Sequence, residues 1–164
     1  MKSLLILRHA DATATGAGSL DELRPLSDLG RAQARNLGLV LNARGVIPDR
    51  VECSAAVRAV ATAQGVCEAA GWATQVAAFE HLYTAPADVL LEQARKQGSE
   101  VTQLLLVAHA PGVADLVSML TTRQNDLDQY CAAATLAEVI LDVERWADAR
   151  AGTGALQMLL PPQS

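Results

Sequence analysis

Two aliphatic runs constrain this chain more than any other feature. Leu4-Leu5-Ile6-Leu7 breaks off into Arg8-His9-Ala10-Asp11, and Leu104-Leu105-Leu106-Val107 breaks off after Ala108 into His109-Ala110-Pro111-Gly112. A short uninterrupted apolar run suits a strand at the centre of a parallel sheet, with both faces covered by helices. Ligands of open α/β sheets bind at the carboxyl ends of such strands. Two of the three histidines therefore stand where a binding crevice is expected.

Composition narrows the classes further. A length of 164 residues suits one domain, residues 1–164, large enough to bury a core. Hydrophobic residues at 51% and charged residues at 19% exclude a disordered chain. Aromatics at 3% leave no stacking surface for single-stranded nucleic acid, and a net charge of -5 repels a polyanion. Nucleic acid is thereby excluded as a partner, whereas a few arginines gathered at one site can still attract a phosphate. Lys2 to Leu7 faintly imitates a secretory leader, but Arg8 and His9 interrupt it, and no run approaches the roughly 20 apolar residues of a membrane span. The expectation is a cytoplasmic monomer with no membrane partner. Cys53, Cys67 and Cys131 form no metal-ligand pair and are expected as small core residues. Cys53 to Arg58 is a Cys-x4-Arg spacing without the glycine of a cysteine-phosphatase loop, which argues against a thiolate nucleophile.

Between the two runs the chain alternates loops, strands and helices. Asp11 to Arg24 is a loop over the strand tips. Ser27 caps a helix with Asp28 in its first turn and Gly45 as its stop. Arg50 to Ser54 is a strand, and Ala55 to Ala70 an alanine-rich helix closed by Gly71. Arg58 lies in that helix's first turns, from which its guanidinium can reach the tips of neighbouring parallel strands. Ala73 to Phe79 is a third strand, Glu80 to Tyr83 begins a loop, and a helix runs from Pro86, in its first turn, to Lys96. After the strand Val101 to Ala108, a helix follows with Val113, Leu116, Val117 and Leu120 on its apolar stripe. Ala132 to Asp142 and Gly154 to Leu160 form an edge hairpin, turning around Asp148 to Gly152. Neither a Gly-x-x-x-x-Gly-Lys loop nor a Gly-x-Gly-x-x-Gly fingerprint is present, so an NTPase or dinucleotide enzyme is not expected.

Four segments in this order resemble the histidine phosphatase superfamily. Arg8-His9-Ala10 resembles its Arg-His-Gly signature, with alanine for glycine. Arg24-Pro25-Leu26-Ser27 through Gly30 to Gln33-Ala34 resembles the Arg-Pro-Leu-Thr/Ser-x-x-Gly-x-x-Gln-Ala segment of the small SixA-type phosphohistidine phosphatases. Arg58-Ala59 through Thr62-Ala63 resembles Arg-Ala-x-x-Thr-Ala, and Val107-Ala108-His109-Ala110-Pro111-Gly112 resembles Val-Gly-His-Asn-Pro-Gly. The resemblance implies a phosphoglycerate mutase-like, three-layer α/β/α sandwich with a mostly parallel central sheet.

It also implies a chemistry. His9 would attack phosphorus, Arg8 and Arg58 would hold the equatorial oxygens, His109 and Ala110 would bind the phosphoryl group, and water would hydrolyse phospho-His9. The arginines would depress the pKa of His9. A carboxylate serves as general acid; Glu80 is the candidate, with Asp11, Asp21 and Glu22 as alternatives, while His81 is expected on the surface. No metal or other cofactor is required. The substrate so implied is phosphohistidine on a protein such as a histidine-phosphotransfer domain. The alternatives are a small phosphomonoester, or a non-catalytic phosphate-binding module.

Overall fold

The computed structural model describes residues 1–122 and 132–163; Cys131 lies outside them. Its strands are β1 (Lys2–Arg8), β2 (Arg50–Ser54), β3 (Val76–Phe79), β4 (Gln103–Ala108), β5 (Leu136–Leu141) and β6 (Gly154–Leu160). They form one sheet in the order β3-β2-β4-β1-β5-β6. The first four in that order are mutually parallel, β5 runs antiparallel to β1, and β6 antiparallel to β5.

Alternation along β1 divides the core. Leu5 and Leu7 pack with Leu37 and Leu41 of helix α1 (Asp28–Ala43) and with Ala59, Ala63 and Val66 of α2 (Val57–Ala70). Leu4 and Ile6 face the other way, onto Leu90 of α3 (Ala87–Arg95) and Leu116 and Leu120 of α4 (Gly112–Thr121). The result is a three-layer α/β/α sandwich. Each fully buried Leu or Ile contributes about 1.5–3 kcal/mol, so the central strands are fixed where both layers close over them. Buried Cys53 and Cys67 belong to the α1/α2 side. Burial pushes the Cys53 thiol up to about 12, which leaves it protonated and inert.

Register then sets the site. Leu5 pairs with Leu105, Leu7 with Val107 and Arg8 with Ala108, and the His9 amide donates to the Ala108 carbonyl at 3.0 Å. The two strand tips end level, and His9 and His109 leave the sheet side by side.

Helix ends follow local chemistry. The Ser27 hydroxyl accepts the Gly30 amide at 3.0 Å, and Gly71 closes α2 at φ 70°. A Cβ on Gly30 would lie 1.9 Å from the Asp11 carbonyl oxygen, so only glycine lets α1 approach the His9 turn this closely. Helix α2 starts at Val57, later than Ala55, because Ser54 Oγ accepts the Ala56 amide and Ala56 remains extended. Pro86 is the cap of α3 with ψ 169°, one position before the first turn. Strand β3 begins at Val76 because β2 offers its first partner there, at Val51. The segment from Ala132 is a turn rather than strand: Ala134 has φ 61°, and its amide meets the Arg8 and His9 carbonyls. Strand β5 begins beyond it, at Leu136, and forms with β6 the sheet edge beyond β1. Buried Trp146 donates to the Val101 carbonyl at 2.7 Å and anchors the connection between the two. Among the described residues no helix is long and apolar enough to cross a membrane.

Candidate active site

His9 begins where β1 stops. Its Nδ1 lies 2.8 Å from the Ala10 carbonyl, which can only accept, so Nδ1 carries the proton and Nε2 keeps its lone pair. Arg58 Nε donates to that Nε2 at 3.3 Å. Across the crevice, Arg58 Nη2 stands 3.4 Å from His109 Nδ1, while His109 Nε2 lies 2.8 Å from Ser54 Oγ. Since a guanidinium has no acceptor, His109 Nδ1 accepts and its Nε2 donates to Ser54. The imidazole centroids are 5.2 Å apart and tilted by 58°. Arg58, His9 and His109 are 3%, 7% and 3% exposed, so all three meet in one buried crevice.

Burial decides the protonation states. It is the largest cause lowering His9 to about 4, with the positive fields of Arg58, Arg8 and Arg24 adding to it. His109 falls to about 3, again through burial first and then through His9 and Arg58. Both imidazoles are neutral at neutral pH. The arginines expected to depress His9 do so, but desolvation does more. Arg8 is half-buried at the end of β1, and its field reaches both histidines. Ala110 is half-buried at the turn between β4 and α4, directly after His109.

Two buried polar side chains fix the backbone after His9. Thr62 Oγ1 on α2 accepts the Ala10 amide at 2.9 Å, and Gln33 Oε1 on α1 accepts the Asp11 amide at the same distance. Both residues sit in the segments that carry the sequence resemblance, where their roles are invisible. Their bonds satisfy two successive amides of a buried turn that neither helix nor sheet can serve.

The candidate acids fare differently. Asp11 turns away from the crevice and accepts the Ser27 hydroxyl. Asp21, on a single 3-10 turn (Asp21–Leu23), accepts from both Arg58 terminal nitrogens, from Arg24 Nε at 3.2 Å and from the Tyr83 hydroxyl. The Tyr83 hydroxyl above all, and then the Arg58 and Arg24 guanidiniums, hold its carboxyl at about 2. Glu80 is exposed, at the rim of an adjoining cleft of about 360 Å³ that it lines with Glu22, Ala55, Ala56 and Tyr83. Tyr83 joins cleft to crevice, because its ring also meets His109 edge-on at 5.4 Å. His81 is exposed and pairs with Gln93 at 2.9 Å. Sequence patterning assigns no role to Tyr83, Ser54, Thr62 or Gln33, and it offers Asp21 only as an alternative proton donor, not as a partner of Arg58. A flexible-looking loop gives no sign of which carboxylate folds back onto an arginine.

Known proteins resemble this chain in sequence and in fold. A sequence model of the histidine phosphatase superfamily (branch 1) matches residues 4–83, from the first strand through Tyr83. An uncharacterised protein of Mycobacterium tuberculosis is 31% identical over 160 residues, covering 92% of this chain and 96% of its own. A Nakamurella multipartitia structure assigned as phosphohistidine phosphatase SixA superposes with a TM-score of 0.83 at 26% identity, covering 99% of this chain and 97% of that one. The tungstate complex of the protein histidine phosphatase SixA shares the fold, with a TM-score of 0.81 at 23% identity over 98% and 97% of the two chains. With the family match and the fold in agreement, this chain belongs to the histidine phosphatase superfamily.

Proposed function

We propose that the chain is a phosphatase working through a phosphohistidine on His9, and that its substrate is phosphohistidine on a protein such as a histidine-phosphotransfer domain. One observation carries this reading. The lone pair of His9 Nε2 faces the crevice between Arg58 and His109 while Nδ1 is held by the Ala10 carbonyl. A buried, neutral imidazole with one nitrogen locked and the other against a guanidinium is a nucleophile awaiting an anion.

In the proposed reaction, the substrate's phosphoryl oxygens take the places now held by the imidazoles on Arg58, with Arg8 contributing charge. Nε2 attacks phosphorus in line, the bond to the leaving nitrogen breaks, and phospho-His9 results. The incoming dianion raises the pKa of His109, so that His109 gains a proton on Nδ1 and donates it as a hydrogen bond to the phosphoryl group. Water then attacks phosphorus on the opposite side, releasing inorganic phosphate and regenerating neutral His9. Ala110 offers its main chain beside the phosphoryl group, and Glu80 delivers a proton across the cleft when the leaving group needs one. Imidazole needs such help less than an alkoxide. No step passes through a metal or cofactor.

Support for a protein substrate comes from the similarity to the SixA-assigned structure. The test is phosphate release from a phosphohistidine-bearing protein and from an aryl phosphate by wild type and His9→Ala. The proposal expects release that vanishes in the variant, with the protein substrate preferred. Release from the aryl phosphate alone would point to a small-molecule phosphomonoesterase.

A further inference from the structure

We propose that Asp21 is a positioning residue, gripping the outer edge of Arg58 so that the inner edge is aimed at the phosphoryl group between His9 and His109. The inference rests on the phosphoryl-transfer reading above and adds a residue outside the two strand-tip motifs.

Arg58 divides its donors between two edges. Nε and Nη2 face His9 Nε2 and His109 Nδ1 at 3.3 and 3.4 Å. Nη1 and Nη2 face Asp21, donating to its main-chain carbonyl at 2.8 Å and to Oδ2 at 2.9 Å. The contacts toward the histidines are long and weak; those toward Asp21 are short and charge-assisted. An anion entering between the imidazoles therefore displaces the weak pair and leaves the strong pair in place. Asp21 is itself braced by the Tyr83 hydroxyl on Oδ2 and by Arg24 on Oδ1. Arg58 is thus held at both ends, by helix α2 and by Asp21, with one edge left for substrate.

Two other roles for Asp21 fit less well. A proton donor must hold a proton at working pH, and a carboxyl kept at about 2 does not. A pseudosubstrate plug should occupy the edge that faces the nucleophile, whereas Asp21 occupies the adjacent Nη1/Nη2 edge. Positioning carries a distinctive cost, because a carboxylate close to the phosphoryl group repels it. Removing the charge should strengthen phosphate binding, while removing the acceptor should slow turnover.

That opposition defines the experiment. Asp21→Asn removes the charge but keeps a side-chain oxygen for Arg58; Asp21→Ala removes both; Tyr83→Phe removes one brace. Each is assayed with an aryl phosphate for kcat and KM, and with inorganic phosphate as competitive inhibitor for Ki, with folding checked by thermal melting. We expect Asp21→Ala to lose roughly 10- to 100-fold in kcat, as for a displaced catalytic group. Its phosphate Ki should be unchanged or tighter. Asp21→Asn should recover most of kcat while keeping the tighter Ki, and Tyr83→Phe should lose a few-fold in kcat. An unchanged kcat in Asp21→Ala overturns the proposal, as does a kcat that rises together with tighter phosphate binding, the mark of a plug. Equal losses in the Asn and Ala variants that deepen as the leaving group worsens overturn it in favour of a proton donor. If wild type hydrolyses nothing, the phosphatase reading falls and takes this proposal with it; activity that depends on His9 but not on Asp21 sinks this proposal alone.

Discussion

The Thr62 hydroxyl joins two elements of the site at once, accepting the Ala10 amide at 2.9 Å and donating to the Arg58 carbonyl at 2.7 Å. One atom thus couples the strand tip that carries His9 to the helix that carries Arg58. Replacing Thr62 with Val keeps the shape and deletes the link, leaving a buried amide without an acceptor, a loss of about 1–3 kcal/mol. We expect Thr62→Val to melt at lower temperature and to lose kcat beyond what its remaining folded fraction explains. Thr62→Ser should restore both, and a Val variant with wild-type kcat would mean that the link is structural only.

The protonation of His9 predicts the acid side of the rate profile. In the proposed reaction attack requires a neutral imidazole, and His9 is lowered from 6.5 to about 4, so the nucleophile this reading assigns stays available well below neutrality. With the substrate's own ionisation factored out, kcat/KM on an aryl phosphate should stay level from pH 7 to near 5 and halve near 4. Half-loss near 6.5 would show that His9 titrates as an ordinary imidazole and that the crevice is wetter than its burial indicates.

The same histidines link folding to pH. A base whose folded pKa lies below its unfolded value binds protons more readily in the unfolded chain, so stability is full above 6.5 and falls as pH drops toward the folded value. For His9 that window runs from 6.5 to about 4, and for His109 from 6.5 to about 3. Each should contribute a slope of about 1.4 kcal/mol per pH unit inside its window. Urea unfolding of wild type and His9→Gln between pH 4 and 6.5 should give slopes differing by about that amount. Parallel slopes would place the imidazole in contact with water in the folded state.

Sequence made the scaffold legible because its strongest physical signals are there. Short uninterrupted aliphatic runs suit covered strands and charge at their ends suits a tip, which puts His9 and His109 at the carboxyl edge of the sheet. Arg58 followed from its position in the first turn of a helix behind a strand. Contacts within the loop between Asp11 and Arg24 were not legible. Asp11, Asp21 and Glu22 are equivalent by composition, and only three-dimensional donors separate them: Ser27 takes Asp11, while Arg58, Arg24 and Tyr83 take Asp21. Gln33 and Thr62 were visible as parts of a resemblance, but nothing in their spacing indicates that they serve the amides of Asp11 and Ala10. Periodicity reports which face of an element is buried, whereas partners of loop amides depend on tertiary register.

Glu80 supplies the last prediction, because its position at the cleft rim suits one kind of substrate more than another. An exposed carboxylate beside the leaving group matters in proportion to how badly that group needs a proton. An alkoxide needs one before it can depart; imidazole departs from phosphorus far more easily. Glu80→Gln should therefore lower kcat/KM for an alkyl phosphate by roughly 10²-fold, the lower end of general acid catalysis. For protein-borne phosphohistidine the same substitution should change the rate by no more than a few-fold. If both substrates lose equally, Glu80 acts through the shape or charge of the cleft. If neither changes, the proton comes from solvent, and the crevice of His9, Arg58 and His109 hydrolyses phosphohistidine with no carboxylic acid at all.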